Sequence, residues 1–243
     1  MHRFFTDLSS IKDDRVFISG DDAHHISKVL RLKEDDEIIV CDKAGTDYLC
    51  SIKTIEKDMV QAWILKKEIA SSEPPIEITL YQGVPKGDKL ETVIQKCVEL
   101  GAVRIVPVAM KRSVAVIKDK EKKKERMQRI ALEASKQCQR SKVPEVMEVM
   151  SFKEAIVHAQ KNDLKLLPYE AENEKKLKDI LLENKNSKTI AVFIGPEGGF
   201  DDEEIKIAGE NGFATVTLGP RIMRTETAPI ACIAAVMYEL GDW

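Results

Sequence analysis

The sequence predicts an α/β protein with a small β-rich domain over residues 1–72 and a larger domain over 73–243, where a mostly parallel sheet is covered by helices. Three observations carry this. Short β-forming runs at turn spacing crowd the first seventy residues, and Ser71-Ser72-Glu73-Pro74-Pro75 then reads as a linker. Beyond it, strand-like and helix-like runs alternate, the pattern of βα units. With 243 residues, 43% hydrophobic and 33% charged, the chain has the length for two such domains and the composition of a folded protein.

In the first domain, residues 37–41, 47–52 and 59–65 read as strands separated by turns at 43–46 and 56–58, which suggests a small antiparallel barrel. One helix interrupts it. Asp21 and Asp22 are placed to cap residues 23–31, with Ile26, Val29 and Leu30 on an apolar face and His24, Lys28 and Arg31 on the other. In the second domain, strands are expected at 76–82, 103–109, 144–150, 164–167, 189–195 and 214–219. Helices are expected at 88–100, 118–140, 152–161, 174–183, 202–210 and 228–240.

Several function classes are disfavoured. No run is apolar enough to span a bilayer, and the first residues lack a signal-peptide core, so a cytoplasmic protein is expected. The five cysteines are scattered, as suits reduced thiols, and Cys97, Cys138 and Cys232 fall on apolar helix faces and read as core. With no His/Asp partner for a thiol, a covalent mechanism is rejected. Asp21-Asp22-Ala23-His24-His25 has metal-ligand types but no partners elsewhere, so no metal site is expected. Net charge is −3, yet residues 111–142 carry twelve Lys/Arg against four Asp/Glu, and 143–212 carry nine against fifteen. A chain segregated in this way can present a basic face to phosphates while staying acidic overall.

Two loops stand out. Ile194-Gly195-Pro196-Glu197-Gly198-Gly199 ends a β run and opens onto Asp201-Asp202-Glu203-Glu204. It lacks the Lys and hydroxyl of a phosphate-binding loop, and its carboxylates would repel a polyphosphate. The second, residues 218–229, again joins a strand to a helix. It offers Leu218, Gly219, Ile222 and Met223 as an apolar slot with Arg221, Arg224 and Glu226 as polar groups, and Thr225 or Thr227 as a cap before Ala228 and Pro229. Such a slot suits a flat, adenine-bearing ligand, and strand ends are where open α/β sheets bind one. Leu166-Leu167-Pro168-Tyr169-Glu170 is a third candidate loop at a strand end, though a proline after a strand is more often only a turn.

These residues carry a resemblance. The chain resembles the ribosomal RNA small subunit methyltransferase E family, a branch of the SPOUT class of S-adenosylmethionine-dependent RNA methyltransferases, over nearly its whole length. The matching motifs are Arg3-x-Phe5, His25-x-x-x-Val29-Leu30-Arg31, Lys96-x-x-Glu99-Leu100-Gly101, Glu133-Ala134-x-x-Gln137-x-x-Arg140, Gly195-Pro196-Glu197-Gly198-Gly199-Phe200 and Leu218-Gly219-x-Arg221-Ile222-Met223-Arg224-x-Glu226-Thr227-Ala228. Met223 departs from the leucine often found there, a volume-conserving change. The resemblance implies a PUA-like barrel, a methyltransferase domain with a C-terminal trefoil knot, and a homodimer with its active site at the subunit interface. It also implies methylation of N3 of a uridine in 16S rRNA of the small ribosomal subunit. The cofactor would be held by Leu167, Pro168, residues 194–199, Leu218, Gly219, Ile222, Met223, Thr227 and Ala228. S-adenosylmethionine is cationic and has no phosphate, so an acidic helix start beside its loop is tolerable.

For the RNA, Lys28 and Arg31 are candidate phosphate contacts, Lys136, Gln137 and Arg140 share one side of a helix, and Lys86 and Lys89 lie near the expected pocket rim. Arg3 and His25 join them through the matching motifs. Arg221 and Arg224 are the cations placed to favour an anionic uracil, while Glu226 can accept a proton, orient Arg224 or balance a helix dipole. Two other readings stay open: an enzyme of the same class acting on another RNA such as tRNA, and a non-catalytic RNA-binding protein.

Overall fold

The computed structural model describes residues 1–70, 72–113 and 120–243, and of Lys120 only the backbone. Ser71 of the expected linker and residues 118 and 119 of the helix expected at 118–140 lie outside the described residues. The chain divides into two compact units: Met1–Glu73 with Ser135–Val143, and Pro74–Ala134 with Pro144–Trp243.

The first unit is a six-stranded sheet. Its strands are β1 (His2–Phe5), β2 (Ile11–Lys12), β3 (Arg15–Ser19), β4 (Glu37–Cys41), β5 (Thr46–Ile55) and β6 (Met59–Ile69), in the order β1-β4-β5-β6-β3-β2. Every pairing is antiparallel except β1 with β4. Period-two alternation decides the core: Val16 and Ile18, Ile38 and Val40, Cys50 and Ile52, and Val60 and Ala62 all turn inward. The short helix α1 (Asp21–His24) adds Ala23 and runs into a π-helical turn (His25–Val29) that adds Ile26.

That turn alters the expected face. Leu30 N–H reaches the His25 carbonyl, five residues back, and the wider turn leaves Val29 61% exposed instead of packed with Ile26. Asp21 and Asp22 do not cap either. Gly20 holds the cap position at φ +66 with no side-chain bond, and both aspartates sit in the first turn, where they oppose the dipole.

Residues 135–143 are bound into this unit by buried charge. Glu73 accepts from the Arg140 guanidinium at 2.8 Å and from the backbone N–H groups of Ser141 and Lys142 at 2.9 Å each. Arg3 donates to Asp47 at 2.8 Å and to Ser141 at 2.9 Å.

The second unit holds one parallel sheet. Its strands are β7 (Glu77–Gly83), β8 (Arg104–Ala109), β9 (Glu145–Val146), β10 (Met150–Ser151), β11 (Leu164–Pro168), β12 (Thr189–Ile194) and β13 (Ala214–Val216). The order is β10-β8-β7-β12-β11-β13, with β9 also on β8. The expected strand at 144–150 is thus two short pieces. Central β7 and β12 are buried almost throughout, as a sheet covered on both faces requires.

The helices are α2 (Lys89–Glu99), α3 (Lys120–Gln137), α4 (Phe152–Ala159), α5 (Leu177–Glu183), α6 (Asp202–Glu210) and α7 (Ala228–Leu240). Capping boxes open two of them, Ser151 with Glu154 before α4 and Asp201 with Glu204 before α6. Against α4 and α6 packs an aromatic core: Tyr81 and Phe193 stack at 4.3 Å, and Phe152 and Phe213 meet Phe193 edge-on. Helix α7 lies against β7 and β12, next to α2 and α5.

Candidate active site

Because β12, β11 and β13 are parallel neighbours, their C-terminal ends lie side by side and their following loops converge. Between those loops is a cavity of about 540 Å³, the size of a small-molecule site. Pro168, Tyr169, Glu170 and Asn173 come from the loop after β11, and residues 195–197, 199 and 200 from the loop after β12. The loop after β13 contributes residues 217–226 and then Ala228. Ile194 and Lys89 complete the wall.

The turn after β12 is closed by the Gly199 N–H on the Pro196 carbonyl at 2.9 Å, with Gly199 at φ +67. A side chain on Gly199 would run into the Glu170 carboxylate, whose Oε1 would lie 2.3 Å from the added carbon. This turn is bound to the next loop underneath. Thr225, 6% exposed, donates its hydroxyl to the Gly195 carbonyl at 2.7 Å and accepts from the buried Gln82 amide at 3.0 Å. Thr225 therefore staples two loops and does not cap α7. Thr227 holds the cap position without a side-chain bond, and Pro229 occupies the first turn.

Three charged groups meet at the cavity wall. Lys89 Nζ lies 3.0 Å from Glu197 and 3.5 Å from Glu226. The Glu197 hydrogen bond, followed by the nearby charges of Glu197 and Glu226, raises the Lys89 ammonium above its ordinary value. Partial burial pushes the Glu197 carboxyl up, but Lys89 and the N–H groups of Glu197 and Lys86 outweigh it and hold the group below the usual range. Arg224 is 4.0 Å from Glu226 with its side chain 83% exposed, and Glu226 Oε2 is buried without a hydrogen-bond partner. The acidic start of α6 is balanced by Lys111, 2.9 Å from Asp201, and by Arg112 at 3.8 Å.

Of the residues expected from sequence, Arg221, Arg224 and Glu226 all line the cavity, as do Pro168, Ile194, Gly195, Pro196, Glu197 and Gly199, and Leu218, Gly219, Ile222, Met223 and Ala228. Leu167 is fully buried in the aromatic core beneath it. Gly198 faces Arg112, whose guanidinium donates to its carbonyl at 3.3 Å, and Thr227 is exposed outside the wall. Tyr169 and Glu170 of the third candidate loop line the cavity as well, and so does Thr225, which the sequence offered only as a helix cap.

The RNA candidates separate into two groups. His25, Lys28, Arg31 and Gln137 are exposed on the first unit, and Lys86 on the second. Arg140 is 3% exposed on Glu73, Arg3 is held by Asp47 and Ser141, and Lys136 pairs with Asp22 at 2.9 Å. The structure gives those three side chains interior partners, whereas the sequence pointed them at phosphates.

A model of an RNA methyltransferase domain matches residues 72–237, and one of an RNA methyltransferase PUA domain matches 18–64. The ribosomal RNA small subunit methyltransferase E of Bacillus subtilis is 36% identical over 98% of this chain and 97% of its own. The chain belongs to the ribosomal RNA small subunit methyltransferase E family. The family member of Aquifex aeolicus is 34% identical over 86% of this chain and 89% of its own. The crystal structure of the Neisseria gonorrhoeae member, bound to S-adenosylmethionine, aligns with a TM-score of 0.90 at 34% identity, over 100% of this chain and 99% of that one. The fold is accordingly that of the family, a parallel α/β methyltransferase unit with an N-terminal PUA domain. Among the described residues no group of three or more His, Cys, Asp or Glu could hold a metal ion, and no helix is long and apolar enough to cross a membrane.

Proposed function

We propose that this rRNA methyltransferase transfers a methyl group from S-adenosylmethionine to N3 of a uridine in the decoding region of 16S rRNA, acting in the cytoplasm as a homodimer. The reading is carried by the strand-end cavity, whose wall combines two guanidinium groups with a carboxylate oxygen that has no hydrogen-bond partner. S-adenosylmethionine has a flat base, a ribose, an amino acid and a cationic sulfur. The residues fit it: Leu218, Ile222 and Met223 supply apolar surface, Gly195 and Gly199 bring backbone close, and Glu170 and Glu226 offset positive charge. When bound, it supplies a methyl group on positively charged sulfur.

The chain's own residues then have the proton to move. Uridine N3 is a poor nucleophile until its proton leaves. Glu226 accepts that proton: its Oε1 lies 4.0 Å from Arg224, beyond hydrogen-bond reach, and its Oε2, 3.5 Å from the Lys89 ammonium, makes no hydrogen bond of its own. Arg221 and Arg224 stabilise the charge that spreads onto the uracil carbonyl oxygens. An apolar surface adjoins the cavity: a second hollow of about 460 Å³ shares Leu218 and Met223 with it and is walled by Leu181, Ala235 and Tyr238, the last 71% exposed. A second copy covering this surface would bury it. Mass spectrometry of rRNA nucleosides tests the whole. Cells lacking the protein should lose 3-methyluridine from 16S rRNA, and retention of it, with another RNA losing its methyl group, would move the substrate elsewhere.

A further inference from the structure

Lys89 stands in the first turn of α2, where a cation meets the positive end of the helix dipole, a local rule broken at the mouth of the cavity. Its ammonium is the meeting point of two carboxylates from different loops: Glu197 after β12, at 3.0 Å, and Glu226 after β13, at 3.5 Å. The same two loops are already fixed beneath by the neutral chain from Gln82 through Thr225 to the Gly195 carbonyl. That chain sets the backbone one residue before Glu226 and leaves the Glu226 side chain undirected. Its Oε2 lies 3.5 Å from Lys89, and its Oε1 lies 4.0 Å from Arg224. Lys89 is the nearer of the two cations, so it decides where this carboxylate rests. Without it, Glu197 and Glu226 would be two like charges facing each other across a partly dry opening, and repulsion would turn Glu226 toward solvent.

We propose that Lys89 is a positioning residue which clasps the two loops through Glu197 and Glu226 and holds the Glu226 carboxylate against the cavity, its part in RNA contact being secondary. This rests on Glu226 as acceptor of the N3 proton. A phosphate contact makes a different demand, since losing one weakens RNA binding and flattens its salt dependence, while losing an aligning charge lowers the rate of the bound complex.

The experiment uses the full-length protein and small ribosomal subunits from cells lacking it, in single turnovers at saturating S-adenosylmethionine. Lys89→Met should lower the maximal rate about ten-fold or more, the lower end of what a misplaced general base costs, with half-saturation by subunits changed by less than about two-fold. Lys89→Arg should restore most of the rate, which also shows that the site folds. Lys89→Met in a Glu226→Gln background should cost nothing further, because the two act as one unit. A Lys89→Met variant with its rate intact and weaker, less salt-dependent subunit binding overturns the clasp in favour of a phosphate contact. Full additivity of the two substitutions overturns it as well. Should Glu226→Gln alone keep the wild-type rate, the proton-acceptor reading fails first, separately from any result at Lys89.

Discussion

Gly199 sits at φ +67 with the Glu170 carboxylate against it, so a side chain there meets two separate obstacles. The backbone conformation is unfavourable for any L-residue by about 1 kcal/mol, and the new carbon must displace a charged neighbour. Gly199→Val should keep the fold and lose S-adenosylmethionine binding by calorimetry. Unchanged affinity in the folded variant would separate this turn from the cofactor. Arg224 makes a contrasting case, since its guanidinium is mostly in solvent and lies near Glu226 alone among the charges described for it. Arg224→Ala should therefore lower the methyl-transfer rate far more than cofactor affinity, and the deficit should narrow as pH approaches the ionisation of uridine itself. A deficit constant with pH would take the charge-stabilising role from it. Both residues are visible in sequence because each follows a β run within a few positions. Glu170 and Thr225 also stood in loops the sequence marked, but their roles were not legible, because these exist only once separate loops are brought into contact.

The strands and helices of the second unit were largely legible, with α6 and α7 falling at 202–210 and 228–240, although α7 starts without the threonine cap expected for it. The failures have local causes. β1 and β3 were not read as strands, although β3 alternates as β4 does, and the π turn after α1 rotates Val29 out of a face drawn at ordinary helical spacing. The loop after β11 shows how an element without regular structure is held. Glu172 accepts from the N–H groups of Glu174 and Lys175 at 3.0 and 3.2 Å and from the Thr215 hydroxyl of β13 at 2.8 Å. The Glu174 N–H, the Thr215 hydroxyl and the Lys175 N–H, in that order, lower its carboxyl from the ordinary 4.5 to about 2. A carboxyl depressed on folding adds stability that is complete above its unfolded value and disappears as pH falls toward its folded one. The stability gap between wild type and Glu172→Gln in urea should thus be full at pH 7 and shrink below about 4.5. A gap that stays constant to pH 3 would mean that packing, not charge, holds this loop.

Across the whole molecule, charge is the feature that linear sequence reads least well. The basic run at 111–142 looked like a face for phosphates, yet many of its cations find carboxylates remote in sequence: Lys111 on Asp201, Lys124 on Glu148, Arg126 on Glu91, Lys136 on Asp22 and Arg140 on Glu73. Linear charge counts cannot foresee such pairs, since tertiary packing makes them. They also divide the proposed RNA contacts into two kinds with opposite signatures. Arg140 is 3% exposed, and deleting one partner of a buried pair leaves the other charge uncompensated, typically at about 3–5 kcal/mol. Glu73 keeps the Ser141 and Lys142 N–H groups, so Arg140→Ala should fall at or below the low end of that range, lower the melting temperature, and weaken RNA binding only as far as the fold is lost. Arg31 is exposed on the first unit and makes no ion pair among the described residues. Arg31→Ala should leave melting unchanged, weaken binding to small subunits, and reduce the slope of log affinity against log salt by about one. Thermal melts beside salt titrations of the two variants decide the matter: an Arg140→Ala protein that melts normally but loses salt dependence would return that guanidinium to the RNA surface, and an unaltered slope for Arg31→Ala would remove that residue from it.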